Sequence, residues 1–279
     1  MKENTKKSKN NMKLIVTIIA LVLLVAILGT IGWGYYKKVT LNIPNPVATI
    51  EVENYGTIKV ELYPDIAPNT VKNFVTLANN GFYNGLKFHR VVKDFMIQGG
   101  DPNGDGTGSP TLSSIDSSIE KDSDKDKKYA IKGEMLANGY KKNILNLTEG
   151  TIAMARSDYT NYSATLSEES YNSAGSQFFI MTSDKYTSLS GHYAGFGKVV
   201  EGLDVVKKIN EVECKATTKE NSDGETETSS EVSTPVEDVK ISSIIVETNG
   251  VDYGKPDTIE PFNYMKWIYS LYGMEYNGE

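Results

Sequence analysis

Arg90 stands in the run Lys87–Asp101, KFHRVVKDFMIQGGD, with Phe95, Met96 and Gln98 close behind it. A permanently charged, planar donor set beside apolar side chains can orient the occupant of an apolar pocket. Two further blocks share that mixture: Gly150–Arg156 (GTIAMAR) followed by Ser173–Ile180 (SAGSQFFI), and Leu189–Val199 (LSGHYAGFGKV). Phe95, Met96, Phe179 and Leu189 are candidates for an apolar pocket, and Arg90 and Gln98 for the few polar groups that orient its occupant. Taken singly, each has a plainer reading: a strand phenylalanine is usually core, and an arginine beside it usually a surface charge.

Other chemistries are poorly supplied. One cysteine, Cys214, permits no intramolecular disulfide and no cysteine-rich zinc site. Of the two histidines, His89 follows strand alternation to the face opposite Arg90 and reads as structural, while His192 reads as a loop residue. A serine hydrolase would need one of them, and no Gly-x-Ser-x-Gly elbow accompanies either. No cluster resembles a metal site, a phosphate loop or a nucleophile elbow, which fits a reaction that breaks no covalent bond. The net charge of −7 leaves no basic stripe for nucleic acid.

The elements that must hold these residues follow an N-terminal segment of different character. Lys2, Lys6, Lys7, Lys9 and Lys13 precede an uncharged run from Leu14 to Tyr36. As a helix that run would reach about 34 Å, enough for a hydrocarbon core of about 30 Å. Trp33, Tyr35 and Tyr36 lie at its far end, as interfacial rings do. The lysine bias predicts a cytoplasmic basic segment 1–13, a transmembrane signal anchor 14–36 and everything later outside the cytoplasm. A cleaved signal peptide is the competing reading, disfavoured by the length of the apolar run.

Residues 37–46, with two prolines, read as a linker. Alternation over Val47–Glu53 and Gly56–Leu62 around Asn54-Tyr55-Gly56 predicts a β-hairpin. The period changes over Asp65–Asn80, where Val71, Phe74, Val75 and Ala78 share a helical face, with Pro68 in the first turn and Gly81 as the stop. Strand-like runs follow at 86–92, 95–99, 129–133, 151–155, 177–182, 195–200 and 239–247, with a second helix at 202–210. Many short strands, two helices and Gly-rich turns predict a β-barrel or sandwich. Residues 111–128, 157–172 and 215–238 read as inserted loops. The remainder, 249–279, is an aromatic-rich tail in which Pro261–Leu271 could form a helix presenting Phe262, Met265, Ile268 and Tyr269, either to its own domain or to a partner or membrane.

Taken together, FHRVVKDFMIQGGD, the MAR turn, GSQFFI and the FGKV ending, in this order, resemble the cyclophilin family from about Val47 to Glu247. The opening hairpin, the APNTVKNF helix and the closing PVEDVKISSIIVE strand extend the likeness. It implies a mainly β fold, a closed eight-stranded antiparallel barrel capped by two α-helices, over 47–248. It also implies peptidyl-prolyl cis/trans isomerase activity on proline-containing polypeptide clients, with no cofactor and no metal. Carried across, the family's catalytic arginine falls on Arg90, its proline pocket on Phe95, Met96, Phe179 and Leu189, and its polar groove groups on Gln98 and Gln177. Ala155 and Arg156 match the segment that pairs with the peptide, and Tyr193 stands where the family usually has histidine. Ser188 replaces a tryptophan common in the family, a departure bearing on cyclosporin binding more than on catalysis. Lys/Asn/Ile-rich usage and the lack of disulfides suggest a membrane-anchored bacterial form. A proline-peptide binding module of weak turnover, or a chaperone or assembly factor on the same fold, is the alternative.

Overall fold

The structure, a computed structural model, describes residues 15–33, 43–220 and 226–276, with side chains left aside at 218–220 and 226–230. It divides into two compact units, one ending at Pro44 and one beginning at Asn45. Within the first, helix α1 (Ile15–Trp33) is long and apolar enough to cross a membrane, by length and composition. The basic segment 1–13 and residues 37–42 of the expected linker lie outside the described residues.

The second unit opens on β1 (Val47–Val52) and β2 (Gly56–Leu62), whose strict alternation buries Ala48, Ile50, Ile58 and Val60 on one face. Asn54 and Gly56 take positive φ in the hairpin turn, the conformation for which Asn and Gly are suited. Helix α2 (Pro68–Asn79) follows with proline in its first turn. Its N-cap residue, Ala67, offers no side-chain acceptor, and the exposed amides are satisfied from elsewhere. The buried Glu134 carboxylate accepts from Asn69 N at 3.0 Å, Thr70 N at 2.8 Å and Thr70 Oγ1 at 2.7 Å. A negative charge there also complements the helix dipole.

Strands β3 (Arg90–Val92), β4 (Met96–Gly99) and β5 (Thr151–Met154) come next, then a short helix α3 (Ser167–Tyr171). Strands β6 (Phe178–Met181) and β7 (Gly195–Glu201) lead into helix α4 (Leu203–Asn210). The chain continues as β8 (Cys214–Glu220), β9 (Thr226–Pro235), β10 (Ile241–Glu247) and helix α5 (Tyr264–Leu271). Eight strands make one antiparallel sheet in the order β10-β1-β2-β7-β5-β6-β4-β3, and β8 pairs with β9 in a separate two-stranded sheet.

Three expectations are corrected. The sheet curls but is not a closed barrel: no ladder joins its edge strands β10 and β3. One isolated bridge, Lys87 to Lys240, lies there, with backbone bonds from Phe88 N to Val239 O (2.9 Å) and Ile241 N to Leu86 O (2.7 Å). This contact lies before β3, and β3 itself packs against β9. The run 129–133 is no strand, making two isolated bridges, Ala130 to Ile259 and Ile131 to Ala174. Residues 215–238 are not a plain solvated loop; they form most of the β8–β9 hairpin, in keeping with their threonines.

One large core lies on the concave face of the sheet, closed by α2 through Val71, Phe74 and Leu77 and by α4 through Val206 and Ile209. A second, smaller cluster lies apart from it: Met96, Leu147, Ala153, Phe179 and Met181. Strands β5 and β6 are buried on both faces for this reason, and apart from Thr151 read as apolar runs rather than alternating ones.

Candidate active site

The second cluster is built by alternation along three neighbouring strands. In β6, Phe178 and Ile180 join the large core, while Phe179 and Met181 join the small one. In β4, Ile97 points inward and Met96 outward; in β5, Ile152 and Met154 point inward and Ala153 outward. Phe95, Ala155, Leu189 and Tyr193 are partly buried against the small cluster. Tyr193 meets Phe179 edge to face, with centroids 5.4 Å apart, and Phe95 lies 4.3 Å from Tyr186. The four residues singled out from the sequence for an apolar pocket therefore converge on one cluster, Met96 and Phe179 buried in it and Phe95 and Leu189 partly buried against it.

The polar residues form a chain beside it. Arg90 Nη1 donates to Gln98 Oε1 at 3.2 Å and lies 3.9 Å from Met96 Sδ. Gln98 Nε2 donates to Gln177 Oε1 at 3.0 Å, and Gln177 Nε2 donates to the carbonyls of Gly106 and Gly108, both at 3.1 Å. Arg90 and Gln98 are opposite partners in the β3–β4 ladder, which sets their spacing. Arg156 stands on the other side, its guanidinium 4.7 Å from the Tyr193 ring and 5.1 Å from the Tyr171 ring. Its Nε donates to His192 O at 3.1 Å, and Ala155 N donates to Gln177 O at 2.9 Å. Ser188 is exposed in the turn before Leu189.

Two buried amides hold this surface from behind. Asn73 of α2 donates to Gly175 O at 2.7 Å and accepts from Tyr129 Oη at 2.7 Å, fixing the segment that carries Gln177. Gly100 (φ 83°) packs so closely there that a Cβ would meet Ser176 O at 2.6 Å. Asn210, the last residue of α4, donates to Val92 O (2.9 Å) and accepts from Asp94 N (2.9 Å) and Thr182 Oγ1 (3.0 Å), fixing the turn that presents Phe95. Asp101 accepts from the amides of Asn103, Asp105 and Gly106, shaping the loop whose carbonyls Gln177 grips.

His89 is buried, in contrast to the half-buried Arg90, and neither ring nitrogen has a partner among the described residues. Burial pushes its imidazole below the ordinary value, outweighing the Asp101 carboxylate that pushes it up.

Sequence reasoning missed four contributors. Leu147, Ala153 and Met181 complete the small cluster. Ala153 and Met181 lie in strands buried on both faces, which give no local sign that their residues serve two cores, and Leu147 lies outside any regular element. Glu231 was also missed. Its carboxylate accepts from Arg90 Nε and Nη2, both at 2.7 Å, in a bidentate fork. That fork holds the carboxyl below its usual range, against the opposing effect of burial. Glu231 lies 141 residues from Arg90, inside a low-complexity acidic stretch with nothing to distinguish it from its neighbours.

A family model described as cyclophilin type peptidyl-prolyl cis-trans isomerase/CLD matches residues 47–246. The chain is 34% identical over 186 residues to mouse peptidyl-prolyl cis-trans isomerase-like 1, covering 67% of this chain and 84% of that protein. It is 35% identical over 161 residues to the Rhizopus delemar protein of the same name, covering 58% of this chain and 78% of the other. Among solved structures, a cyclophilin type peptidyl-prolyl cis-trans isomerase of Cryptosporidium parvum, crystallised in the presence of the dipeptide Ala-Pro, is similar at 25% identity. The TM-score is 0.50, with 72% of this chain and 98% of that chain covered.

Proposed function

As the chain belongs to the cyclophilin-type peptidyl-prolyl cis-trans isomerase family, we propose that it catalyses X-Pro isomerisation with Arg90 as its catalytic residue and the small apolar cluster as its proline site. Isomerase activity itself follows from the family and its curated relatives. The observation that carries the assignment of residues is the contact of the Arg90 guanidinium with Met96 of the cluster. A proline ring seated on Met96, Phe179 and Leu189 would bring its amide within reach of that guanidinium.

Rotation about the prolyl amide must overcome resonance, a barrier of about 18–20 kcal/mol. A donor directed at the prolyl nitrogen favours the pyramidal nitrogen of the twisted state over the planar ground state. One charge-assisted hydrogen bond contributes about 1.5–3 kcal/mol, and each 1.36 kcal/mol is about tenfold in rate. Two such terms in a poorly hydrated site account for about three to four decades. Gln98 and Gln177 would bind the flanking peptide, Ala155 and Arg156 would line its path, and Tyr193 would wall the proline site.

For location, the apolar α1 and the lysines before it support a single-pass anchor with a cytoplasmic N-terminus. The clients would then be unfolded or folding polypeptides outside the cytoplasm, in a bacterial host. Protease added to intact cells should release the 47–279 region.

A second reading, a proline-peptide binder of weak turnover, draws on one observation: Glu231 already occupies two donors of Arg90. Exchange of a short X-Pro peptide followed by NMR, with the full chain in detergent micelles and Arg90→Ala alongside, separates the two. Acceleration that disappears in the variant supports catalysis by Arg90. Peptide binding without acceleration would put the binding module first.

A further inference from the structure

We propose that Glu231, carried by the inserted β8–β9 hairpin, is a positioning residue for the isomerase: it fixes the plane of the Arg90 guanidinium over the apolar cluster. This rests on the reading of Arg90 as catalytic.

The geometry of the fork supports positioning over masking. A guanidinium has five N–H donors in one plane. Glu231 takes the Nε/Nη2 edge with both carboxylate oxygens, while Nη1 is the nitrogen that meets Gln98 and Met96. The carboxylate therefore grips the edge away from the cluster contact and leaves Nη1 beside the surface where the proline would sit. A long flexible side chain clamped on one edge and bridged to Gln98 on the other is pre-organised, and the substrate need not order it.

The hairpin is anchored well enough to act as a clamp. β9 packs against β3, the strand that begins at Arg90. Ser233 is buried, the hydroxyls of Thr217 and Thr234 are 2.6 Å apart, and Val236 N donates to Glu213 O at 2.9 Å. Glu231 sits within this anchored part of β9, two residues from Ser233.

The test uses the full chain in detergent micelles and a short X-Pro peptide without charged side chains, with kcat and KM obtained separately from exchange rates. Glu231→Ala should lower kcat about ten- to a hundredfold, the cost of a misplaced catalytic group. KM should stay within about twofold, since the proline site is untouched. Glu231→Gln, isosteric and able to accept one bond, should fall between, and guards against misfolding of the alanine variant. In an Arg90→Ala background, Glu231→Ala should cost nothing further, an outcome that a general structural role would not produce. An unchanged or raised kcat in Glu231→Ala, with Arg90→Ala strongly impaired but measurably above the uncatalysed rate, overturns the positioning role and leaves Arg90 in place. Near-parental activity in Arg90→Ala instead removes the catalytic assignment itself, and the clamp with it.

Discussion

Phe178 and Phe179 are adjacent in β6 and bury their rings in two different hydrophobic clusters on opposite faces of one sheet. Phe178 packs edge-on against Phe74, Tyr83 and Phe88 in the large core, at centroid distances of 5.6, 5.6 and 6.1 Å. Phe179 meets Tyr193 at the rim of the small one. On the proposed assignment, these neighbours of the same type separate a stability role from a functional one.

Substitution of the two should make that separation measurable. Phe178→Ala is expected to cost about 3–5 kcal/mol in urea unfolding, as a fully buried ring leaves a cavity. Phe179→Ala should cost less stability, because its cluster is small and its ring meets Tyr193 where that of Phe178 meets three others, and should lower kcat/KM at least about tenfold. Equal stability losses with full activity in Phe179→Ala would show that the small cluster is ordinary core.

Arg90→Lys should retain less than about a tenth of the parental kcat/KM. An ammonium cannot make the bidentate contact to Glu231 and reach Gln98 in the same plane. Peptide exchange by NMR reads this directly, and near-parental activity would show that charge alone is enough.

Asn210 makes a prediction at a distance. Its buried amide ties the end of α4 to the β3–β4 turn, and Asn210→Ala strands the Asp94 amide and the Thr182 hydroxyl. A loss of about 2–4 kcal/mol in unfolding free energy is expected. Activity measured well below the melting point should also fall, since Phe95 rides on the released turn.

His89 predicts a pH dependence of stability. Its folded pKa lies below the ordinary value of 6.5, so the unfolded chain binds more protons once pH drops below that value. Stability contributed by the neutral, buried ring is complete above about pH 6.5 and declines as pH falls toward the folded pKa. Urea midpoints measured between about pH 5 and 7.5 should show this slope, and His89→Phe should flatten it. Carboxylates held low by their partners, such as Asp116 beside Lys255, act at more acid pH and will not mimic it.

Ser188→Trp should tighten cyclosporin binding by at least about tenfold, or about 1.4 kcal/mol, by adding an indole beside Leu189. Calorimetry on the parent and variant checks it, and equal affinities would show that this turn does not meet the drug.

Local order in the chain determined a good deal. Alternation in Val47–Leu62, the helical face of Val71, Phe74 and Val75, and the ordered blocks around Arg90, Phe179 and Leu189 were legible because strand and helix periods act over a few residues. Those blocks also announced the family. The tertiary structure alone decided that the apolar runs of β5 and β6 serve two clusters, that Asn210 and Asn73 brace the site from two helices, and that the sheet's edges meet by a short bridge instead of a ladder. Above all it decided the pairing of Glu231 with Arg90, across 141 residues of chain. No local period encodes such contacts. They follow from where the strand order and the inserted hairpin bring distant segments, and that is settled only when the chain packs.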